Sequence, residues 1–392
     1  MSAGRIVRRG LILAVVVYAL WLGWRGLSFR RYGSTSEAAG APSVVAAADI
    51  PRVFEIEGVY HMHSRFSDGS GTVDAIAAAA AEAKLNFVVL TDHGAPNREA
   101  LAAAGRAEGV LVLCGTEISS NRGHLVALGF DAPARDFDRA AEIAAGEAAA
   151  LGGFTVIAHP YSKVSWSWGE WAGYSGLEIL NADTEVKRSL PRSLLFAPLL
   201  LLRPDAALLA LVTRPEREIA AWDRWGAARS VRAYYAADAH FAYRTLFRLF
   251  HLHVLLEERP AGGFDAARRQ IFGALHAGRF YNAIEAAADA DGFRFWAVRS
   301  GRITPMGSSV AVDSSQSGPA RLIVRAPFGF AHEIRLLRDG RPVASSRGAD
   351  LVYETIEPGA YRAEVYLRER TPLRSDVPWI ASNSILLFKD KP

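Results

Sequence analysis

From Phe54 to about Gly292, short β-prone runs alternate with alanine-rich helical ones. The β-prone runs are Phe87 to Leu90, Leu111 to Cys114, His124 to Gly129, Phe154 to Ala158, Leu177 to Leu180 and Arg232 to Ala236. Helices such as Arg98 to Ala107 and Phe137 to Leu151 are expected between several of them. This alternation predicts an α/β fold built on a parallel sheet or barrel, with its chemistry at the carboxyl ends of the strands. Asp92 and His93, Glu117, His159, Asp238 and His240 fall at or just beyond those ends, whereas His124 sits at a strand start. Random placement would scatter such residues.

The tightest group is His61-Met62-His63-Ser64, followed by Ser67-Asp68-Gly69. Histidines at i and i+2 of a strand point to one face. Thr72 is the expected N-cap of a helix from Val73 to Leu85. By itself the pair is as readily a half-buried strand as a metal site. The matching residues at later strand ends tip the balance.

Collected, the candidate ligands are His61, His63, Asp68, His93, Glu117, His124, His159, Asp238 and His240. Imidazole and carboxylate donors without thiolate suit Zn, Mn or Fe. The set is too large for one divalent ion and sufficient for two or three, with a carboxylate as bridge. Such a centre generates hydroxide near neutral pH and clamps the attacking and leaving oxygens of a displacement at phosphorus. A phosphoesterase is therefore expected. A nucleophilic serine or cysteine has no support, because the chain lacks a Gly-x-Ser-x-Gly elbow. Cys114, the sole cysteine, excludes an intrachain disulfide and lies in an apolar run where burial is expected.

The formal charge of +4 is unevenly placed. Residues 1–40 carry a net +5, so the remaining 352 residues sum to −1, a balance that argues against a nucleic-acid binder. Gly10 to Trp24 is an uncharged apolar run with arginines on both sides. The expectation drawn from it is an uncleaved single-pass transmembrane anchor over residues 1–32, with a linker at 33–52 and the catalytic domain outside the cytoplasm. Residues 186–220 form an apolar insert, interrupted by Arg203-Pro204-Asp205. It is read as a buried helical hairpin, or alternatively as one that dips into a bilayer, with Trp166, Trp168 and Trp171 as an interface belt. After about Gly292 only short strands and turn signals remain, which predicts a small all-β sandwich. His251 and His253 repeat the i, i+2 spacing, but the run LFHLHVLL reads as a strand with no acidic partner placed as Asp68 is, so they are assigned to structure.

The segments HMHSRFSDG, VVLTDHG, CGTEIS, GHLVALG, IAHP, LEILN and AADAH resemble the PHP (polymerase and histidinol phosphatase) superfamily over roughly residues 55–285. AEVYLRE and ASNSILLF are similar to the CehA/McbA-like metallohydrolase branch. The resemblance implies a distorted (β/α)7 barrel over residues 53–290, followed by the β-sandwich at 291–392, and a trinuclear metal centre. Carried over by position, His61, His63, Glu117 and Asp238 would hold the first metal. Glu117 would bridge to a second, completed by His124 and His159, and Asp68, His93 and His240 would hold a third. Many members have histidine where this chain has Asp68, which leaves the metal preference open. Asp92 is expected to orient an imidazole, with Glu178 and Asn181 near the site without ligating. Arg65 and Arg122 lie one or two residues from ligand positions and could hold a substrate phosphate, and Arg65 joins Glu117 and Asp238 as a catalytic candidate. The expected substrate is a small-molecule or lipid-like phosphoester. The rivals are a carbamate, amide or carboxylic-ester hydrolase on the same metals, a nuclease, and a catalytically idle binding module at a membrane.

Overall fold

The computed structural model describes residues 3–27, 29–33, 45, 50–167, 169, 173–227, 229–312 and 318–389. Helix α1 (Ala3–Leu22) leads into a short π-helical turn (Gly23–Leu27). The body then runs β1 (Phe54–Tyr60), α2 (Val73–Glu82), β2 (Phe87–Leu90), α3 (Arg98–Ala102), β3 (Gly105–Ala107), β4 (Val110–Cys114), β5 (Thr116–Ser120) and β6 (Gly123–Leu128). It continues through α4 (Ala141–Ala150), β7 (Phe154–Ala158), β8 (Gly176–Asn181) and five helices, α5 (Ala182–Arg188), α6 (Leu190–Leu195), α7 (Ala197–Leu202), α8 (Pro204–Leu211) and α9 (Glu216–Gly226). Last come β9 (Arg232–Ala236), α10 (Tyr243–Leu246), β10 (Phe250–Leu256), α11 (Phe264–Ala277) and β11 (Phe280–Ile284).

Strands β1, β2 and β4 pair in parallel, with Val59 opposite Val88 and Leu90 opposite Cys114. Every residue of β2 (FVVL) and β4 (VLVLC) is buried, as continuous apolar runs require when helices cover the sheet. Cys114 is buried as expected. Helix α2 starts where Thr72 caps it: the Ala75 amide donates to Thr72 Oγ1 at 3.2 Å, and Ile76, Ala77, Ala79 and Ala80 face the sheet. The helix expected over Arg98 to Ala107 stops at Ala102. Its second half is β3, which pairs antiparallel with β4 and extends the sheet edge.

A second sheet has the order β5-β6-β7-β8-β9. Here β6 runs antiparallel to both β5 and β7, while β7, β8 and β9 are parallel. This reversal accounts for His124. An antiparallel strand begins at the end where its parallel neighbours finish, and His124 lies opposite Ala158, next to His159. The two sheets meet at bridges between Met62 and Ala239 and between His93 and Glu117. The Ala237 amide donates to Tyr60 O at 3.0 Å and the Gly94 amide to Glu117 O at 3.1 Å, so strand ends of both sheets face one cavity. Buried Asn282 on β11 adds a tie, accepting from the Tyr235 amide at 2.7 Å and donating to Ala233 O at 2.9 Å.

Beyond β11 the described elements are all strands, as expected. The first sheet continues into them, because Tyr281 of β11 pairs with Ser382. A separate antiparallel sheet is built from Arg302–Pro305, Arg294–Arg299, Ala320–Arg325 and Asp350–Thr355.

The N-terminus corrects the sequence reading. Among the described residues no helix is long and apolar enough to cross a membrane. Arg5, Arg8 and Arg9 fall inside α1, and the helix gives way to the π turn at Gly23, so its uncharged part is only Gly10 to Leu22. That stretch rises about 20 Å, against a hydrocarbon core of about 30 Å. The C-terminal end of α1 packs on the protein instead: Trp21 stacks on Phe196 with centroids 5.5 Å apart, and Gly26 lies against Leu199. The single-pass anchor, its transmembrane helix and the extracytoplasmic placement that rested on it are not supported. The insert divides in two. Residues Ala206 to Leu211 of α8 are core, whereas Leu194 and Leu201 on α6 and α7 are 72% and 87% exposed. Trp166 packs edge-on against Tyr174, while Trp168, Trp171 and most of the expected linker lie outside the described residues.

Candidate metal centre

Backbone geometry at three strand ends turns the key side chains inward. His61, His159 and Asp238 have φ of +65°, +26° and +48°, in or near the left-handed region that non-glycine residues avoid at a cost of about 1–3 kcal/mol each. Gly69 serves the loop after His63, since an added Cβ would lie 2.1 Å from His63 O. Only glycine lets the Ser67-Asp68-Gly69 turn fold back and carry Asp68 across the cavity.

All nine candidate ligands converge, around the two oxygens of Glu117. Its Oε2 is 3.1 Å from His61 Nε2 and 3.2 Å from His63 Nε2, and each of those nitrogens is 3.4 Å from Asp238 Oδ1. Its Oε1 is 2.7 Å from His124 Nδ1 and 3.0 Å from His159 Nε2. On a third side, Asp68 Oδ2 is 3.3 Å from His240 Nε2 and 3.6 Å from His93 Nε2. Donors about 2.1 Å from a shared tetrahedral ion are separated by about 3.4 Å, so these spacings fit divalent cations.

The outer nitrogens are held as well. His61 Nδ1 is 2.6 Å from Glu178 Oε1, and the other Glu178 oxygen accepts from the His159 amide and from Asn181 Nδ2, both at 2.9 Å. Asn181 Nδ2 also reaches Asp238 Oδ2 at 3.1 Å. Ser119 Oγ is 2.9 Å from His93 Nδ1, Ser162 Oγ is 3.0 Å from His159 Nδ1, and His240 Nδ1 is 3.0 Å from Asp238 O. Such contacts orient imidazoles for metal binding. The donor types and the fixed rings therefore suit divalent ions.

Electrostatics agree with a site designed for cations. Burial alone would lower the pKa of His61, but the carboxylates of Glu178, Asp238 and Glu117 hold it well above the usual value. His63 is likewise buried yet rises to about 9 through Asp238 and Glu117, and His159 to about 8. Glu117 is driven well below the carboxylate range despite full burial, by the charge of His61 and by hydrogen bonds from His124 and His159. Without metal, protons hold this carboxylate cluster together.

Two expectations come out differently. Asp92 does not reach an imidazole: its oxygens accept from the Ser64 amide at 2.8 Å, Ser64 Oγ at 2.9 Å and Ser67 Oγ at 2.7 Å, bracing the loop that carries Asp68. Glu178 does the orienting instead. Arg65 is exposed, its Nε donates to Ser70 O at 2.9 Å, and it is not among the residues lining the cavity. Arg122, the other arginine considered, donates to Ser167 O at 2.8 Å, also away from that lining. The cations that do line this space of about 450 Å³ are Lys163, Lys187 and Arg188.

Comparison with known proteins places the chain by family. No curated protein matches it. Among solved structures it is similar to a two-domain protein from Bacteroides vulgatus containing a predicted PHP-like metal-dependent phosphoesterase, at 14% identity and a TM-score of 0.44, covering 91% of this chain and 99% of that one. It is also similar to an amidohydrolase from Chromobacterium violaceum with bound sulfate, at 19% identity and a TM-score of 0.30, covering 47% of this chain and 87% of that one. The family model of the PHP domain matches residues 60–260, just over half of the sequence and the span that carries all nine converging side chains. The chain belongs to the PHP family.

Proposed function

We propose that the protein is a metal-dependent phosphoesterase with a trinuclear centre, set in a distorted (β/α)7 barrel formed where the two sheets close on each other. The observation that supports this most is the division of Glu117, with one oxygen on the His61–His63–Asp238 group and the other on the His124–His159 pair. In this reading His61, His63, Glu117 and Asp238 hold one ion, Glu117, His124 and His159 a second, and Asp68, His93 and His240 a third, each Mn, Zn or Fe. Ions bound there supply Lewis acidity and lower the pKa of a water. The chain's own residues do the rest. Glu178 fixes His61, while Ser119 and Ser162 fix His93 and His159. Lys163 sets positive charge beside the centre for the substrate's phosphate, with Lys187 and Arg188, paired to Asp183 and to Glu185 and Glu218, next to it. The substrate is a small-molecule or lipid-like phosphoester, and nucleic acid is disfavoured by the near-neutral body. We assign residues 53–290 to the hydrolase domain and 291–392 to the β-sandwich. The first five residues of AEVYLRE end the strand Gly359–Leu367, and the motif's resemblance is what favours the CehA/McbA-like branch.

The test is a hydrolysis panel on the full chain reconstituted with Mn, Zn or Fe. Turnover of a phosphomonoester or phosphodiester, abolished by chelation and by Glu117→Ala, is the expected result. Turnover confined to carboxylic esters, carbamates or amides would move the activity to carbonyl substrates, and metal content below one ion per chain would overturn the centre itself.

A further inference from the structure

A second group of metal-type side chains lies away from the catalytic cavity, on the other face of the first sheet. Ile56 and Tyr60 of β1 join the core cluster that includes Tyr234 and Val156 of the second sheet. Glu55 and Glu57 alternate to the opposite face. There they meet His251 and His253 of β10, which runs antiparallel to β1 with Glu57 opposite His253. Among the described ion pairs these histidines do not meet Glu257 or Glu258, the glutamates that follow them in sequence. Their carboxylates come from a neighbouring strand, and from Glu285 and Asp291 in the segment after β11.

The geometry is that of a ligand set. Glu57 Oε2 is 2.8 Å from His251 Nδ1, Glu55 Oε1 is 3.0 Å from His253 Nδ1, and Asp291 Oδ1 is 3.6 Å from that same nitrogen. One donor atom each from Glu57, His251 and His253 lies within 4.8 Å of the others. His251 Nε2 is 2.6 Å from the Phe247 carbonyl, to which it can only donate. In a neutral ring Nδ1 then presents its lone pair to the Glu57 carboxylate, a repulsive contact unless a cation lies between them. Orientation of one ring nitrogen by a backbone carbonyl is also how metal-binding histidines are commonly held.

A separate observation points the same way. His253 is fully buried, yet its Nε2 has no hydrogen-bond partner; the nearest carboxylate oxygen in an ion pair, Glu285 Oε2, stands 3.4 Å off. Arg31, Lys84 and Arg248 line the cavity beside this group, but the described ion pairs do not reach every carboxylate in it. Arg294 takes up Glu55 at 2.6 Å and Arg31 takes up Glu285, but the described ion pairs give neither Glu57 nor Asp291 an arginine or lysine. A cavity of about 460 Å³ reaches Glu57, His251, Glu285 and Asp291.

We propose that Glu57, His251 and His253, with Asp291 as a further oxygen donor, bind a divalent cation of the zinc type at a site distinct from the PHP centre. Two imidazoles with carboxylate oxygens match that ion's preferences. Glu57 precedes His61 by four residues, about 13 Å along a strand; alternation alone would put both on one face, and the left-handed backbone at His61, φ +65°, is what turns its ring to the catalytic side. The ion clasps β1, β10 and the segment leading out of β11 toward the C-terminal strands. Its role is structural.

The test is zinc stoichiometry of the full chain after chelation, reloading and dialysis. His251→Gln/His253→Gln should retain one ion fewer per chain than the parent and keep hydrolysis within tenfold. Glu117→Ala, which disables the catalytic centre, should keep the ion that Glu57→Gln removes, so failure of the catalytic reading would not mask the result. If the double variant does not fold, as judged by circular dichroism, Glu57→Gln alone decides. Equal zinc content in the parent and in folded Glu57→Gln would overturn the proposal and leave His253 as an imidazolium among carboxylates.

Discussion

Glu117 is buried and sits between two groups of imidazoles, so its two oxygens are the most constrained atoms of the centre. Glu117→Ala should lower metal content and reduce activity by about a hundredfold or more, whereas Arg65→Ala should stay within about threefold because Arg65 lies off the cavity. Elemental analysis and steady-state rates on both variants check this, and equal rates for Glu117→Ala and parent would rule out the bridge. Glu178 acts at one remove. Glu178→Gln keeps its shape but loses the charge facing His61 Nδ1, so metal affinity should weaken by about 10- to 100-fold while the fold persists. A metal titration followed by circular dichroism separates that outcome from unfolding.

Individual elements carry their own constraints. The loop from Ser64 to Gly69 is pinned by Asp92 and closed by Gly69, whose missing Cβ lets the backbone pass under His63 O. Gly69→Ala should therefore displace Asp68 and weaken the third ion most, read as loss of the most weakly held metal in a titration. Helices α7 and α8 are almost equally apolar but not equally buried. Leu208→Ala should destabilise by about 2–5 kcal/mol, whereas Leu201→Ala should change stability by less than about 0.5 kcal/mol. Denaturant melts of the two variants make the comparison. Similar losses at both positions would mean that α7 is covered in solution.

For the molecule as a whole, the metal-free centre is a store of protons. His63 and His159 have folded values near 9 and 8, raised above an unfolded value near 6.5. A group raised on folding contributes stability that is complete below its unfolded pKa and lost as pH climbs through its folded one. The chelated protein should therefore melt at progressively lower temperature from about pH 6.5 to 9. The depressed Glu117 keeps its contribution across that window. Metal replaces the protons, so the loaded protein should show a much flatter profile, and metal uptake should release protons and tighten with pH. A pH series of melts with and without chelator checks both. A rising melting temperature of the metal-free form over that range would contradict the assigned protonation.

The ligand residues and the strand-then-helix alternation could be read directly, because side-chain period, N-caps such as Thr72 and apolar runs such as FVVL and VLVLC are local properties of the chain. So could most of the nine candidate ligands, which stand beside a strand end that their own neighbours define, whereas Asp68 lies in a loop and His124 at a strand start. What the sequence could not show is which strands run backward. The reversal of β6 explains His124, and the antiparallel register of β10 on β1 sets Glu57 opposite His253. The same limit hid Ser119 and the contact of Glu178 with His61, whose partners are far along the chain, and it misplaced Asp92 and Arg65. At the N-terminus, composition described an apolar run correctly, but where the helix begins and ends decided its length, and packing on α6 to α8 decided its neighbours. Periodicity is encoded by residues a few positions apart, whereas pairing, register and burial depend on contacts between distant segments, which form only when the whole chain closes around its core.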